Sequence, residues 1–167
     1  MSKTDKLYFV GFMGAGKSTM CRTFARRVGW RALDIDEWIE QRERQPVAAI
    51  FRDHGEAYFR ALEKEAVRAV LPERYAAVAT GGGTFVDPDT RAALLADGTV
   101  VWLDVPFETA VTRVPADGSR PLASDRAQFE ALYLVRRAAY RYAHLRIDAT
   151  TGVADDLVER LLDRLGW

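Results

Sequence analysis

The sequence predicts an α/β fold in which a mainly parallel sheet is covered by helices on both faces. Short apolar segments alternate with amphipathic segments along all 167 residues, and a glycine-rich loop joins the first apolar segment to the first amphipathic one. Strands buried on both faces read as continuous apolar runs, as these segments do. Because no repeat, low-complexity segment or linker divides the chain, we expect a single domain over residues 1–167.

The strand candidates are three to six residues long and are separated by segments long enough to form helices. Alternation of this kind favours parallel strands joined by helical crossovers. The predicted strands are Leu7–Val10, Arg31–Ile35, Tyr75–Thr80, Thr99–Leu103 and Leu145–Ile147.

The segments between the strands show helical periodicity and helix-end signals. Glu56 to Leu71 has apolar residues at helical spacing. Asp87-Pro88 looks like an N-cap followed by proline in the first turn, and Gly98 ends that helix. The other predicted helices are Thr19–Val28, a short one between Pro46 and Gly55, Arg126–Tyr142, and a last one that buries Leu157, Val158, Leu161, Leu162 and Leu165.

The composition limits the classes of partner. Acidic and basic residues balance at 24 each, so no overall field favours nucleic acid or a membrane surface. The single cysteine, Cys21, cannot form an intramolecular disulfide and is interpreted as a small buried or half-buried helix residue. We expect a cytoplasmic protein, since Met1 to Lys6 is polar and resembles neither a secretory signal nor a membrane span.

The glycine-rich loop Gly11–Thr19 fits the phosphate-binding pattern G-x-x-x-x-G-K-[ST]. It follows an apolar strand candidate and precedes a helix candidate, which is the context that this pattern requires. Glycines let successive backbone N–H groups point at phosphate oxygens at the positive end of the helix. Lys17 would reach the β- and γ-phosphates, and the Ser18 hydroxyl would contact Mg²⁺. The loop predicts binding of a nucleoside triphosphate.

Two carboxylates, Asp34 and Asp36, lie at the end of the second predicted strand, at the edge where ligands bind in open parallel sheets. Side chains alternate along a strand, so we expect the two to share a face. Asp34 would suit a Mg²⁺ ion beside Ser18, and Asp36 would suit a hydroxyl acceptor as hydrogen-bond partner or base. The alternative is that Asp36 only caps a helix that starts at Glu37.

Three further motifs are ambiguous when each is taken singly. Arg60 and Glu63 are three apart on a predicted helix, so a surface ion pair would explain them. Gly81-Gly82-Gly83 permits close approach of backbone to a ligand, although flexibility would also explain it. The second half adds arginines that could each be a solvated charge: Arg113, Arg120 and Arg136, the last of which is followed at i+4 by Tyr140.

Residues 115–125 are rich in turn formers and poor in apolar residues. Such a segment between two helices is either an ordinary surface connection or a lid that closes over bound ligands.

Taken together and in this order, the motifs resemble those of the shikimate kinases, from Gly11 to at least Tyr140. The resemblance implies a P-loop kinase of the nucleoside-monophosphate-kinase-like class, with a five-stranded parallel sheet in the order 2-3-1-4-5. It implies transfer of the γ-phosphoryl group of ATP to the 3-hydroxyl of shikimate, on the route to chorismate and the aromatic amino acids, with Mg²⁺ as cofactor. Shikimate and ATP are then the partners of a monomer.

The resemblance also implies which residues serve the nucleotide. Arg113 matches an arginine that stacks on adenine, and Arg120 matches a lid arginine that reaches the transferred phosphate, within a lid around residues 115–127. Ser18 holds the metal, with Asp34 acting through water. The implied ATP-binding residues are Gly14, Ala15, Gly16, Lys17, Ser18, Thr19, Arg113 and Arg120, of which Lys17 and Arg120 are catalytic.

For the acceptor, the resemblance implies a substrate-binding helical region around residues 36–63. Asp36 matches a catalytic acidic residue that hydrogen-bonds the acceptor hydroxyls, and whether it also removes a proton stays open. Arg60 and Arg136 match a pair that clamps the substrate carboxylate. The remaining implied contacts are Gly81, Gly82 and Gly83 near the substrate hydroxyls, Phe51 and Phe59 as an apolar wall, and Glu63 as the partner that orients Arg60.

The chain departs from the family pattern in three places. The segment from Arg120 to Arg136 is a few residues shorter and lacks a second leucine after Pro121-Leu122. The adenine loop, residues 148–152, lacks a distinctive signature. Ile35 is bulkier than the small or hydroxyl residue often found there, and we expect it to point away from the site into the core.

Two rival functions are weaker. Another small-molecule kinase on the same scaffold could act on gluconate or a nucleoside monophosphate. Such a kinase would not require Asp36, Arg60, the three glycines and Arg136 together. A non-catalytic sensing module would be expected to lose Lys17, Asp36 or Arg120, and all three are present.

Overall fold

The computed structural model describes residues 4–115 and 125–167. The strands are β1 (Lys6–Val10), β2 (Arg31–Asp34), β3 (Ala76–Ala79), β4 (Thr99–Asp104) and β5 (Leu145–Asp148). The helices are α1 (Lys17–Val28), α2 (Ile35–Glu43), α3 (Val47–His54), α4 (Glu56–Val70), α5 (Pro88–Asp97), α6 (Phe107–Arg113), α7 (Arg126–Tyr140) and α8 (Ala154–Leu165).

Within the described residues, five strands form one sheet in the order β2-β3-β1-β4-β5, and each neighbouring pair is parallel. The predicted fold class and strand order are confirmed. In the central strand β1, Phe9 lies opposite Ala79 of β3 on one side and opposite Val101 of β4 on the other. The order places the loop after β1 between the loops that follow β3 and β4, at the carboxyl edge where such sheets bind ligands.

The core forms on both faces of the sheet. Leu7, Tyr8, Phe9 and Val10 are successive residues of β1, and all four are fully buried. Because neighbouring side chains on a strand point to opposite faces, helices must cover both sides. On one face Phe24 of α1 packs edge-on against Phe9 and also contacts Trp30 and Trp167. Cys21 is buried as predicted, and burial raises the pKa of its thiol to about 12.

The two longest helices of the described residues, α4 and α7, have 15 residues each. None of the helices in residues 4–115 and 125–167 combines the length and the apolar character that a membrane span requires.

The second strand ends one residue earlier than the sequence predicts. Helix α2 starts at Ile35, and the Asp34 side chain caps it by accepting hydrogen bonds from the backbone N–H groups of Asp36 and Glu37, at 3.0 and 3.2 Å. The expectation that Asp34 and Asp36 share a face because both lie on one strand is therefore wrong, as is the alternative that Asp36 caps a helix starting at Glu37. The Asp34 cap satisfies two of the free N–H groups at the helix start, which favours a helix that begins at Ile35. Ile35 is fully buried, as expected.

A buried ionic network lies at the opposite, amino edge of the sheet. The Lys6 ammonium is fully buried and donates to the Asp97 carboxylate at 2.6 Å and to the carbonyls of Val70 and Leu71 at 3.0 and 2.7 Å. The Tyr8 hydroxyl donates to the same Asp97 oxygen at 2.5 Å. These contacts join β1 to the carboxyl ends of α4 and α5, far along the strand from the phosphate loop.

Candidate active site

The phosphate loop follows β1 and ends where α1 begins at Lys17. Gly14 and Gly16 both have left-handed backbone angles, with φ of 79° and 88°, and Gly16 is the N-cap residue of α1. At Gly14, a Cβ would also lie 3.0 Å from the Ala110 carbonyl oxygen, so a larger residue would be both strained and crowded. The loop therefore brings a tight glycine turn to the start of α1, where the N–H groups of the first helical turn can bind phosphate.

Lys17, Ser18 and Asp34 meet beside this loop. The Lys17 ammonium donates to the Phe12 carbonyl at 3.0 Å, which folds the side chain back over the loop. The Ser18 hydroxyl donates to Asp34 Oδ2 at 2.5 Å. A cation, a hydroxyl and a carboxylate thus line one opening, the phosphate-loop cavity, whose walls are Met13, Gly14, Gly16–Thr19, Asp34, Asp36, Thr80–Gly82 and Arg113–Pro115.

A second cavity, the arginine cavity, adjoins the first and is open to solvent. Phe51 and Phe59 form an apolar wall, with ring centroids 4.8 Å apart. The cavity is lined by Met13, Asp36, Val47, Phe51, Phe59, Arg60, Glu63, Gly81, Gly82, Gly83 and Arg136. Met13, Asp36, Gly81 and Gly82 line both cavities, so a ligand in one would lie next to a ligand in the other.

Arg60 is held in the arginine cavity by acidic neighbours on its own helix. Its guanidinium donates to Glu63 at 2.9 Å and to Glu56 at 3.3 Å, and it lies 5.4 Å from the centre of the Phe59 ring. Burial acts to lower the pKa of Arg60, but the charges of Glu63 and Glu56 outweigh it and raise that pKa. Glu63 is itself buried, so it fixes the guanidinium more firmly than a surface partner would.

Arg136 is compensated only in part, since burial outweighs the charges of Glu63 and Glu56, which act to raise its pKa. Its side chain is 4% exposed, and its guanidinium lies 6.0 Å from the centre of the Phe12 ring. Among the described residues no carboxylate forms an ion pair with it. Burial lowers the pKa of Arg136, and the nearby positive charge of Arg60 lowers it further. A buried cation is costly without an anion, so this position is suited to a negatively charged ligand group.

The three glycines form a wall that only residues without a side chain can make. A Cβ on Gly82 would lie 2.8 Å from Arg136 Nη1, and one on Gly83 would lie 2.5 Å from Arg60 Nη1. A Cβ on Gly81 would lie 2.7 Å from Glu63 Oε2 and 3.1 Å from Asp36 Oδ1. The glycines thus let both guanidinium groups and the Asp36 carboxylate approach the main chain closely.

Arg113 connects the phosphate loop to the segment after β5. Its guanidinium donates to the carbonyls of Gly14 at 3.3 Å, Ala149 at 3.2 Å and Thr150 at 3.1 Å. Residues 148–152, the predicted adenine loop, therefore contact Arg113, the arginine that the family resemblance associates with adenine.

Comparisons with known proteins agree with this geometry. The family model described as shikimate kinase matches residues 13–166. This chain belongs to the shikimate kinase family. It is 38% identical to the shikimate kinase of Persephonella marina over 160 residues, covering 95% of this chain and 98% of that protein. It is 41% identical to the shikimate kinase of Streptomyces coelicolor over 160 residues, covering 94% and 93%.

Solved structures give the same result. A shikimate kinase from Acinetobacter baumannii in complex with shikimate superimposes with a TM-score of 0.92 at 33% identity, covering 96% of this chain and 92% of that one. A deoxyadenosine kinase from M. mycoides with bound dATP gives a TM-score of 0.65 at 16% identity, covering 97% and 99%, and shows similarity of fold alone. The predicted family is confirmed.

The shikimate kinase motifs converge on the two cavities. Lys17, Ser18, Asp34 and Arg113 line the phosphate-loop cavity, Arg60 and Arg136 line the arginine cavity, and Asp36, Gly81 and Gly82 line both. Arg120 and most of the predicted lid, 115–127, lie outside the described residues.

Sequence reasoning missed several residues of this shikimate kinase site. Met13 lines both cavities but occupies a variable position of the loop motif, so no local signal marks it. Val47 lines the arginine cavity from α3. Glu56 is the second partner of Arg60, and its i,i+4 spacing was a usable signal.

Proposed function

We propose that this protein transfers the γ-phosphoryl group of ATP to the 3-hydroxyl of shikimate, in aromatic amino acid biosynthesis. The observation that supports it most is Arg136, a buried guanidinium that no described carboxylate neutralises, beside Arg60 and next to the phosphate loop. A substrate carboxylate would neutralise it, and shikimate has one carboxylate together with several hydroxyls.

On the nucleotide side, we propose that backbone N–H groups of residues 14–19 and the Lys17 ammonium bind the phosphates. Lys17 would leave the Phe12 carbonyl, to which it donates at 3.0 Å, and neutralise charge on the transferring group. Arg113 already touches the carbonyls of Ala149 and Thr150, so its guanidinium plane can form one face of an adenine site. Arg120 is proposed to reach the transferring phosphate from the lid.

The residues beside the loop fit Mg²⁺. The described residues contain no cluster of three His, Cys, Asp or Glu side chains, but a hydroxyl and a carboxylate lie together at Ser18 and Asp34. Mg²⁺ prefers oxygen ligands and keeps several waters beside substrate phosphates, so two such groups suffice. We propose that Ser18 holds Mg²⁺ directly and Asp34 holds it through water. When bound, the ion neutralises negative charge on the β- and γ-phosphates.

On the acceptor side, we propose that Arg136 and Arg60 bind the shikimate carboxylate from two directions. Planar guanidinium groups suit a carboxylate because they can donate two parallel hydrogen bonds. Phe51 and Phe59 would pack against the ring, and the backbone of Gly81–Gly83 would approach its hydroxyls. With the carboxylate fixed at the arginines, a hydroxyl on the far side of the ring would face Asp36, which borders both cavities.

Asp36 is proposed to orient the attacking hydroxyl toward the γ-phosphate and to accept its proton. Phosphoryl transfer requires little covalent chemistry from the protein, so positioning and charge neutralisation supply most of the rate enhancement. The shared wall of Met13, Asp36, Gly81 and Gly82 is what would bring the two reactants into line.

A coupled assay with ATP and Mg²⁺ tests the proposal by comparing shikimate, quinate and gluconate as acceptors. We expect turnover with shikimate to exceed that with the other two by at least about 10²-fold, because a site built for particular polar groups rejects analogues that leave them unpaired. Equal turnover with gluconate would favour another small-molecule kinase, and nucleotide binding without turnover of any acceptor would favour a sensing module.

We also propose a monomer that works in the cytoplasm. The one cysteine, Cys21, is a buried free thiol, as suits a reducing compartment. Sedimentation analysis of the purified protein would test the oligomeric state.

A further inference from the structure

Two buried hydroxyl groups tie the triple-glycine segment and the residue after it to α7 and α4. The Tyr140 hydroxyl on α7 donates to the Gly82 carbonyl at 2.5 Å. The Thr84 hydroxyl, next after the glycines, donates to Glu63 Oε2 on α4 at 2.7 Å. Tyr140 is 1% exposed and Thr84 is 2% exposed, so neither bond competes with bulk water.

Each of these contacts leads to one arginine of the cavity. Glu63 accepts from Thr84 with one carboxylate oxygen and from Arg60 with the other, at 2.9 Å. Tyr140 lies one helical turn after Arg136, so anchoring its hydroxyl fixes the turn of α7 from which Arg136 projects. The glycine segment therefore acts as a spacer between α4 and α7, and each guanidinium packs against it.

Both guanidinium groups lie close to the glycine segment. The positions that Cβ atoms would take on Gly82 and Gly83 lie 2.8 and 2.5 Å from Nη1 of Arg136 and of Arg60. A side chain at either position would force the neighbouring guanidinium to move. Burial raises the pKa of Tyr140 well above its ordinary value, so its hydroxyl keeps its proton and remains a donor across the working pH range.

We propose that the hydroxyls of Tyr140 and Thr84 are positioning groups that set the separation of Arg136 and Arg60, and so determine how well the site binds a carboxylate-bearing acceptor. The inference rests on the proposed function, in which the two arginines bind the shikimate carboxylate. Neither hydroxyl needs to touch the substrate.

The test for Tyr140 is Tyr140→Phe, with Tyr133→Phe as the matched control. Tyr133 lies on the same helix, and its buried hydroxyl donates to the Val105 carbonyl at 2.7 Å, away from the glycines. Each variant loses one buried hydroxyl-to-carbonyl bond, and Tyr133→Phe also loses the bond that Arg137 Nη1 donates to the Tyr133 hydroxyl at 3.0 Å, so the control should lose at least as much melting temperature. Only Tyr140→Phe should raise the KM for shikimate, by about tenfold, while the KM for ATP stays within about twofold.

For Thr84, the comparison is Thr84→Val against Thr84→Ser. Valine has nearly the same shape but no hydroxyl, and serine keeps the hydroxyl. We expect Thr84→Val to raise the KM for shikimate by about tenfold, and Thr84→Ser to restore it to within about threefold of wild type. This pair also keeps the proposal testable if Tyr140→Phe folds poorly.

Double-variant cycles separate positioning from general loosening. In an Arg136→Ala background, Tyr140→Phe should change the KM for shikimate by less than about twofold, because the group that it positions is gone. Full additivity, an unchanged KM in the single variants, or an equal rise with Tyr133→Phe would each overturn the proposal. Failure of the proposed function would show separately, as wild-type protein that does not phosphorylate shikimate.

Discussion

The two cavities are built in different ways. The phosphate-loop cavity is built around one continuous stretch, in which glycines turn the chain and α1 begins, and is completed by residues at or just after the ends of β2, β3 and α6. The arginine cavity comes from side chains of α2, α3, α4 and α7, which meet the glycines after β3. The first cavity combines the main chain of a glycine turn with the side chains of Lys17, Ser18 and Asp34, whereas the second depends mainly on side chains.

This difference has a consequence for specificity. Backbone N–H groups and a helix start bind phosphate in many proteins, so they identify a nucleotide site without identifying an acceptor. Buried arginines and a carboxylate at fixed positions define a ligand with a negative group at one end and hydroxyls at the other. If one cavity binds the nucleotide and the other binds the acceptor, substitutions in one cavity should leave binding in the other nearly intact.

Lys17→Met should give the largest effect. It removes the cation that would neutralise the transferring phosphate while keeping a long side chain, so kcat should fall by about 10³-fold or more. The KM for shikimate should change little, because Lys17 does not line the arginine cavity. Steady-state kinetics with both substrates varied measures this, and near-normal kcat would remove Lys17 from the chemistry.

Asp36→Asn tests the wall between the cavities. The amide keeps the size of the carboxylate but cannot accept a proton, so we expect kcat to fall by about 10²–10³-fold. Nucleotide affinity, measured by calorimetry with a non-hydrolysable ATP analogue, should remain within about threefold of wild type. An active variant would limit Asp36 to a structural role.

Arg136→Ala and Arg60→Ala should separate the two substrates most clearly. Loss of Arg136 should raise the KM for shikimate by about 10²-fold, the worth of a buried charge-assisted contact. Arg60→Ala should have a smaller effect, about tenfold, since Glu63 and Glu56 already share its charge. ATP affinity should be nearly unchanged in both, and an equal loss of ATP binding would contradict a carboxylate clamp.

The sequence was most informative where its signal is local. The phosphate loop follows from nine consecutive residues, and the strand order followed from the family resemblance. Asp36 was predicted for a reason that proved wrong: its position comes from the first turn of α2, not from alternation along a strand. The cap of Asp34 ends the strand, and a short polar strand end cannot be distinguished from a helix start by pattern alone.

Contacts between segments that are distant in the sequence could not be predicted from the sequence pattern. Tyr140 was visible at i+4 from Arg136, but its hydrogen bond to Gly82 spans 58 positions of the chain. The same holds for Thr84 and Glu63, which are 21 positions apart. Such contacts depend on how the helices pack on the sheet. Periodicity predicts which face of a helix is buried, but not which residues that face contacts.

The amino edge of the sheet offers a third region that serves neither cavity, and Asp97→Asn should affect stability alone. It leaves the fully buried Lys6 ammonium without its carboxylate, so the free energy of unfolding should fall by about 3 kcal/mol near neutral pH, with both KM values unchanged. Urea denaturation and steady-state kinetics measure the two quantities.

The pH dependence of that loss gives a sharper test. Burial acts to raise the pKa of Asp97, but hydrogen bonds from Lys6 and Tyr8 outweigh it and hold that pKa below its ordinary value. A carboxyl with a depressed pKa in the folded state contributes stability that is fully present above its unfolded value, about 4, and is lost as the pH falls through its folded value. The difference in unfolding free energy between wild type and Asp97→Asn should therefore be constant near pH 7 and shrink below about pH 4. A difference that stays constant down to pH 2 would mean that the ionised carboxylate is not what stabilises this edge.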